Sequence, residues 1–318
     1  MVKKGLLVII PIRINRIVNF NNQEETVIIG IMKDINVSNI GYKIKSKTIL
    51  TDISFTVDTE DSFALLGENG SGKTTLIDII LNDIKPTTGS VNFFEKPYKN
   101  YDKVGVLYDQ LPLFPMLKVS ESIHYFTSIH QLNYHTISEQ YFDTFEIHKI
   151  KNTLVTALSQ GEKKRLSILL AIIHNPRLLI LDEPFANLDP TITDRIWNTI
   201  KDGNRTIFFS THDWKEAEKQ ATKIGFIHDG KIIQPPQSPM QLMQALPALK
   251  KISVSNINGL TDELIDYQYY MHDGYLSIFF DEKTDLLKKI SLNTSNFSVQ
   301  NVSLQDAYLF TIKKQKND

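Results

Sequence analysis

Gly67-Glu68-Asn69-Gly70-Ser71-Gly72-Lys73-Thr74 decides how the rest of the chain is read. Its spacing is G-x-x-x-x-G-K-[ST]. The glycines let the backbone curl, so that successive N–H groups converge on phosphate oxygens. The helix expected to follow, opened by Thr74 and Thr75, adds the positive end of its dipole. Lys73 brings a point charge to the β and γ phosphates, and the Thr74 hydroxyl is placed to ligate Mg²⁺. By accident the pattern falls in on the order of 1% of chains this long. Here it has the context it requires. Phe63 to Leu66 reads as a strand running into the loop, and Thr74 to Ile84 as a helix leaving it, apolar at Leu76, Ile77, Ile79, Ile80 and Leu81. The stretch predicts nucleotide binding without naming a reaction.

Outward from the loop, short apolar runs alternate with helical patterns. Leu178 to Leu181 is continuously apolar and Thr206 to Phe209 is a second such run, as expected of strands buried on both faces. This alternation predicts an α/β fold with a largely parallel sheet. The candidate site residues fall beyond the C-terminal ends of the strands, where open α/β sheets bind ligands. The first run closes in Asp182-Glu183-Pro184. Asp182 is placed to hold Mg²⁺, directly or through water. Glu183 is the candidate general base for an attacking water. The bland reading of adjacent acids is a solvated turn; behind a buried strand in a chain with a phosphate loop it gives way to the chemical one.

The 318 residues, 42% hydrophobic and 22% charged, suffice for two domains. The net charge of −1 gives no basic bias toward nucleic acid, and the absence of cysteine excludes disulfides, thiol nucleophiles and Cys-ligated zinc. No apolar run reaches the roughly 18–20 residues of a membrane-spanning helix. Leu6 to Ile12 after Lys3 and Lys4 hints at a signal peptide, but no small-residue cleavage site follows and polar Asn21 to Thr26 comes soon after. Three regions result. Residues 1–31 are a lead, read as an appendage or an over-extended reading frame. Residues 32–234 carry the chemistry. Residues 235–318 begin with the breaker Pro235-Pro236-Gln237-Ser238-Pro239. The last region has an alternating stretch, Tyr275 to Phe280, and a helical pattern near Thr284 to Ile290, which predict a small α+β domain. His124, His130 and His135 cannot meet at one ion if they share a helix, and are expected to be surface or packing residues.

Leu158-Ser159-Gln160-Gly161-Glu162-Lys163-Lys164-Arg165-Leu166 is physically a helix N-terminus, with a serine hydroxyl, a glycine allowing close approach and free N–H groups. Alone it would be read as a serine-capped helix. Between the phosphate loop and the acidic strand, it resembles the LSGGQ signature of ABC ATPases. Phe185-Ala186-Asn187-Leu188-Asp189 resembles the family's D-loop, with Asp189-Pro190 as N-cap and first helical residue. Phe208-Phe209-Ser210-Thr211-His212-Asp213 resembles the switch segment, whose His212 would contact the γ-phosphate and hold the attacking water. Tyr42 lies where the family stacks an aromatic on adenine, although tyrosine is also a common core residue. Ser303-Leu304-Gln305-Asp306-Ala307-Tyr308-Leu309 is similar to the SLEDVFL-like ending of exporter-type subunits.

The resemblance covers about residues 32–234. It implies a P-loop NTPase fold of the ABC type, with a helical subdomain at about 111–157. It implies ATP and Mg²⁺ as ligands, with Gly67 to Thr75 on the phosphates and Ser159, Gln160, Gly161, Glu162 and Asp189 closing over a neighbour's nucleotide. It further implies a second nucleotide-binding subunit, identical or not, and a separate transmembrane permease. The activity implied is ATP hydrolysis that powers transport, with export favoured, at the inner face of the cell membrane. Two departures stand out. Gln160 replaces the usual glycine, and Glu162 replaces the usual glutamine and brings a negative charge. The Q-loop is open between Asp109, in the usual slot counting back from Pro115, and Gln110, preferred by residue type as the Mg²⁺ and nucleotide contact. Among soluble relatives, DNA-repair members carry a long coiled coil, and no sustained heptads lie between Thr74 and Ser159. Translation members carry two phosphate loops where this chain has one. A sensor without turnover would not need Glu183 and His212.

Overall fold

The computed structural model describes residues 15–17, 28–30, 32–94, 101–109, 113–186, 188–255, 267–281, 286–293 and 296–317. In the lead, β1 (Asn15–Ile17) pairs antiparallel with β2 (Ile28–Gly30). A long hairpin follows, β3 (Lys33–Ile44) and β4 (Lys47–Asp58), then β5 (Ser62–Leu66), α1 (Lys73–Ile80), β6 (Thr88–Phe93) and β7 (Val104–Leu107). The middle of the chain supplies α2 (Val119–Ile129), α3 (Tyr134–Tyr141), α4 (Gln160–Ile172), β8 (Leu178–Asp182), α5 (Pro190–Lys201), β9 (Thr206–Thr211), α6 (Trp214–Gln220), β10 (Lys223–His228) and β11 (Lys231–Ile232). The C-terminal part contains α7 (Pro239–Gln244), β12 (Lys250–Val254), β13 (Tyr269–His272), β14 (Tyr275–Phe280), α8 (Leu286–Asn293), β15 (Phe297–Asn301) and α9 (Leu304–Asn317).

The central sheet has the order β11-β10-β5-β9-β8-β7 and is parallel except for β11. Its continuous apolar strands serve two cores. Ala64 and Leu66 face one core with Leu179 and Leu181, while Phe63 and Leu65 face the other with Leu178 and Ile180. Burying one such side chain contributes about 1.5–3 kcal/mol, so both faces of each run are fixed by packing. The expected α/β parallel architecture is therefore the observed one. The strands read as Leu178–Leu181 and Thr206–Phe209 extend to Asp182 and Thr211, because the ladder carries their polar ends into register: Asp182 pairs with Ser210, and Leu66 with Thr211. The helix read as Thr74–Ile84 is shorter. It ends at Ile80, with Leu81 as C-cap and Asn82 in the left-handed region (φ 63).

A second sheet, β4-β3-β6, is antiparallel. Phe55 of β4 stacks on Phe63 of β5 (5.0 Å) and Phe208 of β9 (5.8 Å), joining the two sheets. A third sheet, β13-β14-β12-β15, is also antiparallel. The stretch read as alternating, Tyr275 to Phe280, is β14. Its Leu276, Ile278 and Phe280 pack with Leu286 and Ile290 of α8, while Phe279 and Tyr270 face α9. Both faces of that strand are covered. The three histidines are packing residues in part: His124 stacks on Tyr134 (3.8 Å) and His130 on His174 (4.3 Å). Among the described residues no helix is long and apolar enough to cross a membrane.

Candidate nucleotide site

The loop between β5 and α1 curls as its glycines require. Gly70 and Gly72 adopt φ of 82° and 106°, and a Cβ on Gly67 would stand 2.3 Å from the Ile227 carbonyl oxygen. Gly72 is the N-cap of α1, which has no side-chain cap and no acid in its first turn. The first N–H groups of that helix lack intrahelical acceptors, so the loop end is free to meet an anion. Lys73 is buried at 7% exposure, and its ammonium donates to the carbonyls of Gly67 (2.8 Å) and Glu68 (3.1 Å). A cavity of about 500 Å³ opens over the loop, lined by Ile49, Asn69, Gly70, Gly72, Lys73, Thr74, Thr75, Asp109, Glu183, Ala186 and His212.

Three elements converge on that cavity. At the end of β8, Asp182 meets the Thr74 side chain of α1. Ser210 on β9 donates its hydroxyl to Asp182 Oδ1 and accepts the Glu183 N–H at 3.0 Å. Burial raises the Asp182 pKa above its ordinary value. The hydrogen bonds from Ser210 and Thr74 oppose the rise, and the charges of Asp109 and Glu183 add to it. Glu183 itself has a left-handed backbone (φ 46), a strained state typical of functional positions. That turn carries its carboxylate back to the loop: Oε1 lies 3.5 Å from Lys73 Nζ, and Oε2 lies 2.9 Å from His212 Nδ1. Beneath the site, Lys164 of α4 reaches the Asp182 carbonyl (3.4 Å), and burial lowers its pKa against the pull of Asp109, Asp182, Glu183 and Glu216. Asp213 caps α6, and Glu216 accepts the Thr211 hydroxyl (2.7 Å) and the Trp197 indole N–H (3.3 Å). These contacts fix the strand end that presents His212.

The other expected site residues lie elsewhere. Ser159 is the N-cap of α4, and Glu162 closes a capping box with it. The Ser159 N–H and hydroxyl both donate to Glu162 Oε2 at 2.8 Å, and the Glu162 N–H donates back at 3.3 Å. Those bonds hold the Glu162 carboxyl below its usual range. Neither these residues nor Gln160 and Gly161 line the cavity above Lys73. Asp189 caps α5 through the N–H groups of Thr191 (2.8 Å) and Ile192 (3.3 Å). Tyr42 packs on the core of the antiparallel sheet beside Ile49; Ile49 lines the cavity and Tyr42 does not. Gln110 lies outside the described residues, as does Asn187, whereas Asp109 lines the cavity. Sequence reasoning gave no separate role to Ser210. Its signal was its place two residues before His212, at the end of the apolar run that becomes β9.

Residues 50–186 match the family described as ABC transporter. The chain is 34% identical over 195 residues to mouse ATP-binding cassette sub-family A member 9, a match that covers 58% of this chain and 12% of that protein. It is 30% identical to the spermidine/putrescine import ATP-binding protein PotA of Fusobacterium nucleatum, over 64% of this chain and 57% of PotA. It is 31% identical to the lantibiotic transport ATP-binding protein SrtF of Streptococcus pyogenes, over 63% of this chain and 89% of SrtF. A solved ATP-binding subunit of an ABC transporter shares the fold with a TM-score of 0.60 at 21% identity, over 66% of this chain and 92% of that one. A phosphate loop, an acidic strand end and a histidine strand end meet at one cavity, and the similarity spans 89% of a lantibiotic transport ATP-binding protein; the chain belongs to the family of ABC transporter ATP-binding subunits.

Proposed function

We propose that this chain hydrolyses ATP and, by ATP-driven pairing of two nucleotide-binding subunits, powers transport through a separate membrane permease. The observation that carries the reading is the Glu183 carboxylate held between Lys73 and His212 at the mouth of the phosphate loop. A general base must stand within hydrogen-bond reach of the water it activates, and this one stands where a γ-phosphate on Lys73 would bring that water. His212 fixes the orientation of the carboxylate. Lys73, whose charge is held in place by two loop carbonyls, turns to the β and γ phosphates when they enter. Glu183 then accepts a proton from water as the water oxygen bonds to the γ-phosphorus. The bond from that phosphorus to the β-phosphate oxygen breaks, so that ADP leaves with the electron pair.

The residues also suit Mg²⁺. Among the described residues no cluster of His, Cys, Asp and Glu would hold a metal by itself, which fits an ion that takes most of its ligands from phosphate and water. Thr74 and Asp182, already joined to each other, would hold it. Asp182 is a buried carboxylate beside two further acids, an arrangement that a cation relieves. The ion would supply charge neutralisation on the β and γ phosphates.

Pairing follows from what the cavity lacks. Ser159 to Glu162 are a capped helix end away from Lys73, so a second subunit would complete the site. Residues 32–234 would form the nucleotide-binding domain, with 111–157 as its helical part and 235–318 as an accessory domain. Phe114, Met116, Tyr125 and Ile129 are 43–80% exposed on that helical part and offer an apolar surface to the permease, which would hold the chain at the inner membrane face. Export is favoured by the ending Ser303 to Leu309 and by similarity to a lantibiotic transport protein; PotA is named for import. The test is ATPase activity of the chain with and without the membrane protein that purifies with it, followed by substrate flux in vesicles. Hydrolysis stimulated by that protein is expected. Nucleotide binding without hydrolysis under either condition would contradict the proposal.

A further inference from the structure

Tyr308 on α9 is completely buried, 80 residues beyond its partner His228. Its hydroxyl lies 2.9 Å from His228 Nδ1, near enough to the phosphate loop for the Glu68 charge and backbone to act on it. The ring is wedged against Trp214 (4.9 Å) and Phe226 (5.5 Å). His228 ends β10 and opens the turn on which the loop sits. Gly67 packs on the Ile227 carbonyl, and the Gly230 N–H donates to the Ser71 carbonyl at 3.0 Å. The hydroxyl therefore joins α9 to the seat that carries the loop.

The rest of α9 is fastened to the C-terminal sheet. Asp306, 1% exposed, accepts from Lys251 Nζ (2.6 Å), from the Tyr270 hydroxyl, and from the N–H (2.6 Å) and hydroxyl (2.7 Å) of Ser303. Phe310 packs edge-on against Phe279 at 5.0 Å. The motif Ser303 to Leu309 thus has two ends: Asp306 holds the sheet, and Tyr308 enters the nucleotide core.

We infer that Tyr308 is a positioning residue for nucleotide binding, through which the C-terminal sheet holds the phosphate loop in its phosphate-ready curl. The inference rests on the nucleotide reading of the cavity. A brace on the loop acts on every phosphate the loop grips, so ADP and ATP should be affected alike and the chemical step should not.

The test uses the full chain with Tyr308→Phe, which keeps the ring and deletes the hydroxyl. Mg·ATP and Mg·ADP affinity, KM, kcat and nucleotide-free thermal unfolding are compared with wild type and with Ile290→Val, a core change in α8 away from Tyr308. Loss of one hydrogen bond predicts about a fivefold weakening for both nucleotides and a matching rise in KM, with kcat within about twofold. Ile290→Val should lower the unfolding temperature without moving KM. If Tyr308→Phe does not fold, His228→Gln cuts the same link from the loop side and should shift KM in the same direction. Tyr308→Phe binding nucleotide as tightly as a wild type that does bind it overturns the brace alone. A KM shift shared by Ile290→Val reduces the effect to general stability and also overturns it. Wild type that binds neither nucleotide overturns the nucleotide reading beneath it.

Discussion

The His212 imidazole Nδ1 and the Glu183 carboxylate Oε2 lie 2.9 Å apart, at hydrogen-bond distance. The two residues come from the ends of adjacent parallel strands. Ser210 registers those ends by holding both Asp182 and the Glu183 N–H. Glu183→Gln keeps the shape and removes the base. ATP hydrolysis should fall by roughly 10² to 10⁴ while nucleotide affinity is retained. Single-turnover hydrolysis checks this, and wild-type turnover in the variant would remove Glu183 from the mechanism.

Lys73→Ala deletes the one cation buried in the loop. Charge-assisted bonds to phosphate contribute most of the grip there, so ATP affinity should drop on the order of 100-fold or more. Equilibrium binding of a fluorescent ATP analogue measures the loss. Retained affinity would contradict the phosphate-loop assignment.

The fold was legible because the deciding residues are local. Leu178 to Leu181 is apolar at every position, and the structure puts alternate members into two different cores. The glycine pattern needs only its own backbone to curl. What was not legible depends on distant partners. Asp34 is completely buried, paired with Arg177 and Thr206 far along the chain, and nothing near Asp34 announces it. The helix after the loop was carried past its end at Ile80 to Ile84, because apolar spacing does not reveal the left-handed turn at Asn82. The tail motif was visible as a resemblance, but its contact with His228 exists only once the chain is folded.

At the N-terminus of α4, Ser159→Ala removes a cap that accepts one N–H and donates to Glu162. A loss of about 1 kcal/mol is expected, or roughly 2–4 °C in Tm. Glu162→Gln can still close the box and deletes the negative charge. It should leave Tm nearly unchanged and raise ATP hydrolysis, by up to about tenfold. Calorimetry and a steady-state assay separate the two variants, and slower hydrolysis in Glu162→Gln would show that the carboxylate has a positive role.

Glu146 joins α4 and α5 by pairing with Arg165, Arg195 and Lys149. Hydrogen bonds from Lys149 and Arg165 lower its pKa from the ordinary 4.5. A lowered pKa means that the unfolded chain takes up the proton first. The stabilisation is therefore complete above pH 4.5 and disappears as pH falls through the lower folded value. Glu146→Gln should cost about 1 kcal/mol at neutral pH, the upper end for a partly exposed pair. The gap to wild type should close in acid. Denaturant melts at several pH values test this, and a pH-independent gap would contradict the ion-pair account.

A γ-phosphate on Lys73 should recruit the Ser159 end of another subunit. The most direct measurement is the mass of the Glu183→Gln chain in solution, and of its complex with the permease, with and without Mg·ATP. Two nucleotide-binding subunits drawn together by Mg·ATP, and not by Mg·ADP, is the expected result. A mass and a subunit spacing unchanged by Mg·ATP in both preparations would contradict it.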